Sequence, residues 1–328
     1  MKKLLLGIFA VVAMASCAKE QTIATVKQEA IAFSNFVQHT KVVDPSFNED
    51  TNPLQAFYVW GFVNAPSGVV FDQELVEYDA TTAAWTYQNL AYWAPGKTYH
   101  FAALAPVNNN KIGVTLANGN LMSADGVLGT VTFENVDGTV DVLYAEDDVT
   151  TPTTIPYIPE KVELTFNHLL SKIKFTFTNG LVNENSSMVV SNVKMVVPAN
   201  GTVDLAVKPF VWTLTGTETT ELVFGKAVDA NGSENLAPAG VGVIENERLT
   251  IPTAATESLT ITFDVTIYNG DQVAQTIPMT SVLTGKTLEA GKSYNLTANL
   301  TADKLGLKKI DFTVLVNDWV PETNDIEI

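Results

Sequence analysis

The sequence predicts an all-β protein, and three observations carry the prediction. Past about residue 50, apolar residues recur mostly with period 2, as in Val131-Thr132-Phe133, Ile173-Lys174-Phe175-Thr176-Phe177, Leu259-Thr260-Ile261-Thr262-Phe263-Asp264-Val265 and Ile310-Asp311-Phe312-Thr313-Val314. Such alternation sends successive side chains to opposite faces of a strand, and the threonine, valine and aromatic residues in these runs suit a pleated, half-buried surface. Turn dipeptides separate the runs: Asn118-Gly119, Asp137-Gly138, Asn179-Gly180, Asn200-Gly201, Asn231-Gly232 and Asn269-Gly270. No amphipathic segment of helical period exceeds two or three turns. Many short strands at this spacing imply sandwich architecture.

At the N-terminus, Lys2 and Lys3 precede an apolar run, Leu4 to Ala15. The run fits a signal peptide and is too short to cross a bilayer as a helix. It ends at Met14-Ala15-Ser16-Cys17, which resembles a bacterial lipobox. Cys17 is the only cysteine, so it can form no internal disulfide, and no cysteine or histidine cluster joins it for metal binding. Residues 1–16 are therefore expected to be a lipoprotein signal peptide, with Cys17 the lipidated first residue of the mature chain. The competing reading is an ordinary secreted protein with a buried cysteine. No later apolar stretch approaches 18 residues, so membrane attachment is expected only through the Cys17 lipid.

Charge narrows the partners. Lys+Arg number 19 and Asp+Glu 36, for a net charge of −17, and the single arginine is Arg248. Phosphate backbones are bound by clustered Lys and Arg, so nucleic acid is excluded as an expected partner. The length suits two domains of about 150 residues. Asp147 to Pro159, with Pro152, Pro156 and Pro159, is unsuited to a central strand and reads as a linker. The expected division is a lipidated propeptide with a first strand over 17–41, an N-terminal domain over 42–159 and a C-terminal domain over 160–328. Gly96-Lys97-Thr98-Tyr99-His100-Phe101 lines up with Gly291-Lys292-Ser293-Tyr294-Asn295-Leu296, an internal repeat that fits two related domains.

No catalytic or metal constellation is visible, and no cofactor is expected. The two Gly-Lys-[Thr/Ser] segments lack the phosphate-loop spacing, since Ala91 and Lys286 stand where a glycine is required. His39, His100 and His168 lie far apart, without histidine partners at metal-ligand spacing, and read as surface or satisfied core residues. No nucleophile elbow or zinc-binding histidine pair occurs. Trp60, Trp85, Trp93, Trp212 and Trp319 are expected in cores, an exposed sugar-binding platform being the alternative.

Several segments in order resemble the fimbrillin family, the pilin-like surface lipoproteins of Bacteroides-type bacteria. They are Ile31-Ala32-Phe33-Ser34-Asn35-Phe36 with Thr40-Lys41, then Leu54 to Gly61, then Tyr92-Trp93-Ala94-Pro95 continuing to Pro106. Asp141-Val142-Leu143-Tyr144-Ala145, Phe166-Asn167-His168-Leu169-Leu170-Ser171-Lys172 and Asn317-Asp318-Trp319 complete the match. The resemblance implies two transthyretin-like Greek-key β-sandwich domains in tandem and a structural role. It implies delivery to the outer membrane and cell surface as a lipoprotein, removal of the first strand by a trypsin-like protease, and filling of the resulting groove by a strand from a neighbouring subunit.

On that footing the displaced strand is expected over Glu29 to Val37, with Ile31 and Phe33 sharing a face. The scissile bond is expected at Lys41-Val42, where family members often carry arginine. The donor is expected at the C-terminus, with Lys308 to Trp319 mostly resident and a movable part carrying Val320, Ile326 and Ile328. The expected partners are copies of this chain, related fimbrial subunits, the processing protease, and host or bacterial surface ligands. The alternatives are an anchor subunit that keeps its lipid and a non-polymerising, glycan-binding surface lipoprotein.

Overall fold

The computed structural model describes residues 30–37, 54–64, 68–116, 128–153, 161–306, 310 and 312–319. In chain order the strands are β1 (Phe33–Val37), β2 (Ala56–Val63), β3 (Gly68–Asp79), β4 (Ala84–Thr86), β5 (Thr98–Ala105), β6 (Ile112–Leu116), β7 (Gly129–Glu134), β8 (Leu143–Thr150), β9 (Val162–His168) and β10 (Ser171–Asn179). There follow β11 (Ser186–Pro198), β12 (Asn200–Asp204), β13 (Trp212–Leu214), β14 (Thr219–Gly225), β15 (Val241–Val243), β16 (Arg248–Thr250), β17 (Leu259–Asn269), β18 (Gln272–Leu283) and β19 (Lys292–Leu300). A single turn of helix, α1 (Ala302–Gly306), and β20 (Thr313–Asp318) close the series. The fold is almost wholly β, as the alternation requires.

Four sheets form. On the N-terminal side a seven-stranded sheet runs β1-β9-β8-β5-β2-β3-β4, and a four-stranded one runs β13-β12-β7-β6. On the C-terminal side one sheet runs β15-β10-β19-β20, with β16 also on β10, and the other β14-β11-β17-β18. β1 with β9 and β10 with β19 are parallel; the other pairings are antiparallel.

The expected boundary at residue 160 does not coincide with the sheets. β9 lies beyond it yet pairs with β1 and β8, and β12 pairs with β7 far upstream. Asn200-Gly201 likewise makes no turn. It opens β12, where the chain passes from one sheet to another directly after β11. Gly201 allows a close approach there: a Cβ would sit 3.1 Å from both Ile251 and Trp212, tighter than most such contacts.

Three cores result. The C-terminal sheets enclose Phe175, Phe177, Met195, Phe224, Phe263 and Leu296, delivered by alternation that a bulge near Asn192 interrupts in β11. The centre of the seven-stranded sheet, β5 and part of β2, is buried on both faces. Tyr99, Phe101 and Ala103 of β5 join Phe57, Phe71 and Phe166 on one side, whereas Ala102 and Leu104 join Trp60, Phe133 and Val203 on the other. β5 therefore reads as a continuous apolar run, Phe101 to Ala105.

The repeated tyrosines make equivalent corners. Gly96 and Gly291 turn at φ of +64° and +68°, a conformation that glycine adopts without strain. Tyr99 Oη accepts the Ala94 N–H, and Tyr294 Oη accepts the Glu289 N–H, each at 2.7 Å and five residues back. β5 and β19 start from these corners.

Candidate functional site

β1 is an edge strand whose leading residues fill a core. Ile31 and Phe33 are 1% and 3% exposed. The Phe33 ring lies 6.0 Å from Phe57, 5.7 Å from Phe71, 5.7 Å from Tyr87 and 6.1 Å from Phe101, mostly edge-on, the arrangement aromatic quadrupoles favour. Alternation puts residues 31 and 33 on one face, as the sequence suggests. The ladder follows this pair: Phe33 to Val37 register against Val162 to Phe166. β9 has five register pairs with β1 and two with β8, so β1 supplies most of the ladder of β9.

The opposite flank of β1 is also held. The seven-stranded sheet curls until the segment after β4 meets the residues leading into β1. The Ile31 N–H donates to the Ala91 carbonyl at 2.9 Å, Ala30 bridges Tyr92, and Tyr87 Oη donates to the Ile31 carbonyl at 2.7 Å. Glu74 on β3 holds this segment in turn. Its carboxylate accepts the N–H groups of Gln88 and Asn89 at 3.0 and 2.9 Å and the Asn89 side-chain amide at 2.7 Å. Partial burial pushes the Glu74 carboxyl up, but these three bonds together outweigh it and hold its pKa below the usual range. Thr151 Oγ1 accepts the Lys97 N–H and donates to the Ala94 carbonyl, fixing the far end of the segment.

Sequence reasoning singled out Ile31 and Phe33 but missed Glu74, Tyr87 and Ala91. The family-like Tyr92-Trp93 pair was the nearest signal. Cys17, Lys41, Val42, Val320, Ile326 and Ile328 lie outside the described residues. Among the described residues the structure brings together the two displaced-strand residues, Ile31 and Phe33.

A second polar cluster lies where the two halves meet. His168 Nδ1 is 2.7 Å from Asp141 Oδ2, both side chains buried, and the His168 ring stacks on Trp319 at 3.8 Å and 14°. Lys172 Nζ lies 5.0 Å from the Trp319 ring centre and pairs with Glu247 at 3.1 Å; burial lowers its pKa while Glu247 raises it. Among the described residues, Asp141 Oδ1, His168 Nε2 and Trp319 Nε1 have no hydrogen-bond partner. Beside the cluster opens a cavity of about 730 Å³ whose walls include Phe210, Trp212, Leu288 and Trp319. Lys208 and Lys292 at its rim pair with Glu146 and Asp318. His100 is satisfied, with Asp148 at 2.7 Å and Asn64 at 2.9 Å. Trp60, Trp93, Trp212 and Trp319 are buried and Trp85 half-buried. No group of three metal-ligating side chains occurs among the described residues, and none of their helices is long and apolar enough to cross a membrane.

Comparison with known proteins places this architecture. No curated protein matches the sequence significantly. A fimbrial protein from Bacteroides vulgatus superposes with a TM-score of 0.61 at 14% identity, covering 89% of this chain and 99% of that one. A protein provisionally assigned to cell adhesion, from Bacteroides ovatus, gives 0.50 at 14% identity, with 90% and 99% covered. These likenesses show a shared fold. The profile described as fimbrillin-like matches residues 40–319, most of the sequence. The chain belongs to the fimbrillin-like family.

Proposed function

We propose that this protein is a structural subunit of a cell-surface fimbria, of the shaft type, assembling with copies of itself and related subunits and supporting adhesion. In this reading it travels as a lipoprotein attached through Cys17. A trypsin-like protease cuts at Lys41-Val42, the first strand leaves, and a strand from the C-terminal end of a neighbour, the region of Val320, Ile326 and Ile328, takes its place.

The observation that supports strand exchange is the seat of β1. An edge strand that fills a core leaves two deficits when removed: unpaired N–H and C=O groups along β9, and the apolar pockets of Ile31 and Phe33. Each pocket is worth roughly 1.5–3 kcal/mol of burial. A replacement strand repairs both deficits through β-augmentation.

The lipid-retaining anchor has its own support: no arginine precedes Arg248, so an arginine-specific protease has no site near β1. The glycan-binding alternative draws on the junction cavity, whose size suits a small ligand. Its tryptophans, however, are buried rather than displayed.

The mature N-terminus decides among these readings. Mass spectrometry of the surface-exposed protein is expected to find Val42 first, in heat-resistant ladders on denaturing gels. A lipidated Cys17 on a single band would replace the shaft reading with the anchor or binder.

A further inference from the structure

We infer that residues 87–92 form a latch that retains β1 after the chain is cut, and that Glu74 and Tyr87 are its positioning residues. The inference rests on the strand-exchange reading and adds a step to it: cleavage alone does not empty the seat, and the latch must open before another strand can enter.

An ordinary edge strand is bonded on one side only and peels toward solvent. β1 is flanked on both sides where its core-filling residues lie. The Ala32 carbonyl accepts the Val162 N–H of β9 at 2.9 Å, and both backbone groups of the adjacent Ile31 are taken by the latch. The Tyr87 ring stands edge-on to Phe33 at 5.7 Å and to Phe71 at 5.2 Å, so one residue closes the Phe33 pocket and bonds the Ile31 backbone. The latch does not hold itself. Its Leu90 and Tyr92 are 57% and 46% exposed, and the Glu74 carboxylate fixes its first half through three bonds. Opening therefore means breaking the Glu74 and Tyr87 contacts while the core behind β9 stays intact, a local rather than global event.

The test uses the full chain with a site-specific protease sequence at residues 38–41, cut after purification. Release of the N-terminal fragment is timed by mass spectrometry, and uptake of a fluorescent peptide of residues 29–37 by anisotropy. The nicked parent is expected to hold its fragment. Tyr87→Phe should release it about tenfold faster, as expected for loss of a hydrogen bond, and Glu74→Ala at least as fast. Thr82→Ala, whose hydroxyl bonds Asp79 in the β3–β4 turn, should match the parent. Thermal melting of the uncut variants checks that each folds. A fragment lost from the nicked parent within mixing time, or variants releasing at the parental rate, would overturn the latch. Fast peptide uptake by the variants without any fibres would leave the latch standing and sink strand exchange instead.

Discussion

The chain ends the described part of each half with an edge strand, and the two are held differently. β1 closes one edge of the seven-stranded sheet and β20 one edge of a C-terminal sheet. Each is led by an Ile-x-Phe pair that enters a core. Ile31 and Phe33 lie among Phe57, Phe71 and Phe101, whereas Ile310 is buried and Phe312 packs on Phe175, Phe177 and Phe263. Beyond the pair the resemblance stops. Among the described residues β20 bonds only β19, and its Leu315 and Val316 are 55% and 52% exposed. The residues leading into β1 have β9 on one side and the latch on the other. The two strands share an aromatic plug and differ in the second flank, which in the proposed exchange sets how readily β1 leaves.

The largest expected effect tests the plug. Phe33→Ala should destabilise the protein by about 3–5 kcal/mol, the usual cost of emptying an aromatic site in a core. Val316→Ala, on the exposed part of β20, should stay within about 0.5 kcal/mol. Urea denaturation measures both, and equal costs would erase the contrast between the strands.

The two tyrosine corners sharpen the comparison at smaller scale. Tyr99→Phe and Tyr294→Phe each strand a backbone N–H, at a cost of about 1–3 kcal/mol. Only Tyr99 anchors the segment that runs into the latch, through Ala94. Hydrogen exchange at the Ile31 amide should accelerate in Tyr99→Phe and not in Tyr294→Phe. Acceleration in both would mean that β1 responds to overall stability and not to its flank.

The smallest effect is a pH dependence. The folded Glu74 carboxyl titrates below its ordinary value, so its contribution is complete above the unfolded value near 4.5 and is lost as pH falls through the folded one. Fragment release from the nicked chain should therefore quicken below about pH 4.5, and Glu74→Gln should remove that acid-dependent component. An identical acid response in the variant would assign it to other carboxylates.

Much of this was legible in the sequence, for definite reasons. Side-chain alternation is a local property, so the strands at Ile173, Leu259 and Lys292, and the shared face of Ile31 and Phe33, could be read directly. The tyrosine corners were legible as a repeat because a tight glycine turn and the strand after it are encoded within a few residues. His168 was read as a surface or satisfied core residue, and the fold buries it and pairs it with Asp141, a partner that no local pattern announces. Glu74 and Tyr87 gave no signal, because an acid and a tyrosine in a polar run look like ordinary surface.

The sequence by itself determined the all-β character, the positions of several strands, the family resemblance and that Ile31 and Phe33 share a face. Tertiary structure decided which strands meet. It placed β9 beside β1 in parallel, sent β12 back to β7 across the expected boundary, buried β5 on both faces and closed the latch between Ile31 and Ala91. Alternation gives each strand its faces but no partner. Partners are chosen by the burial and backbone bonding of the whole chain, over separations that no local pattern spans.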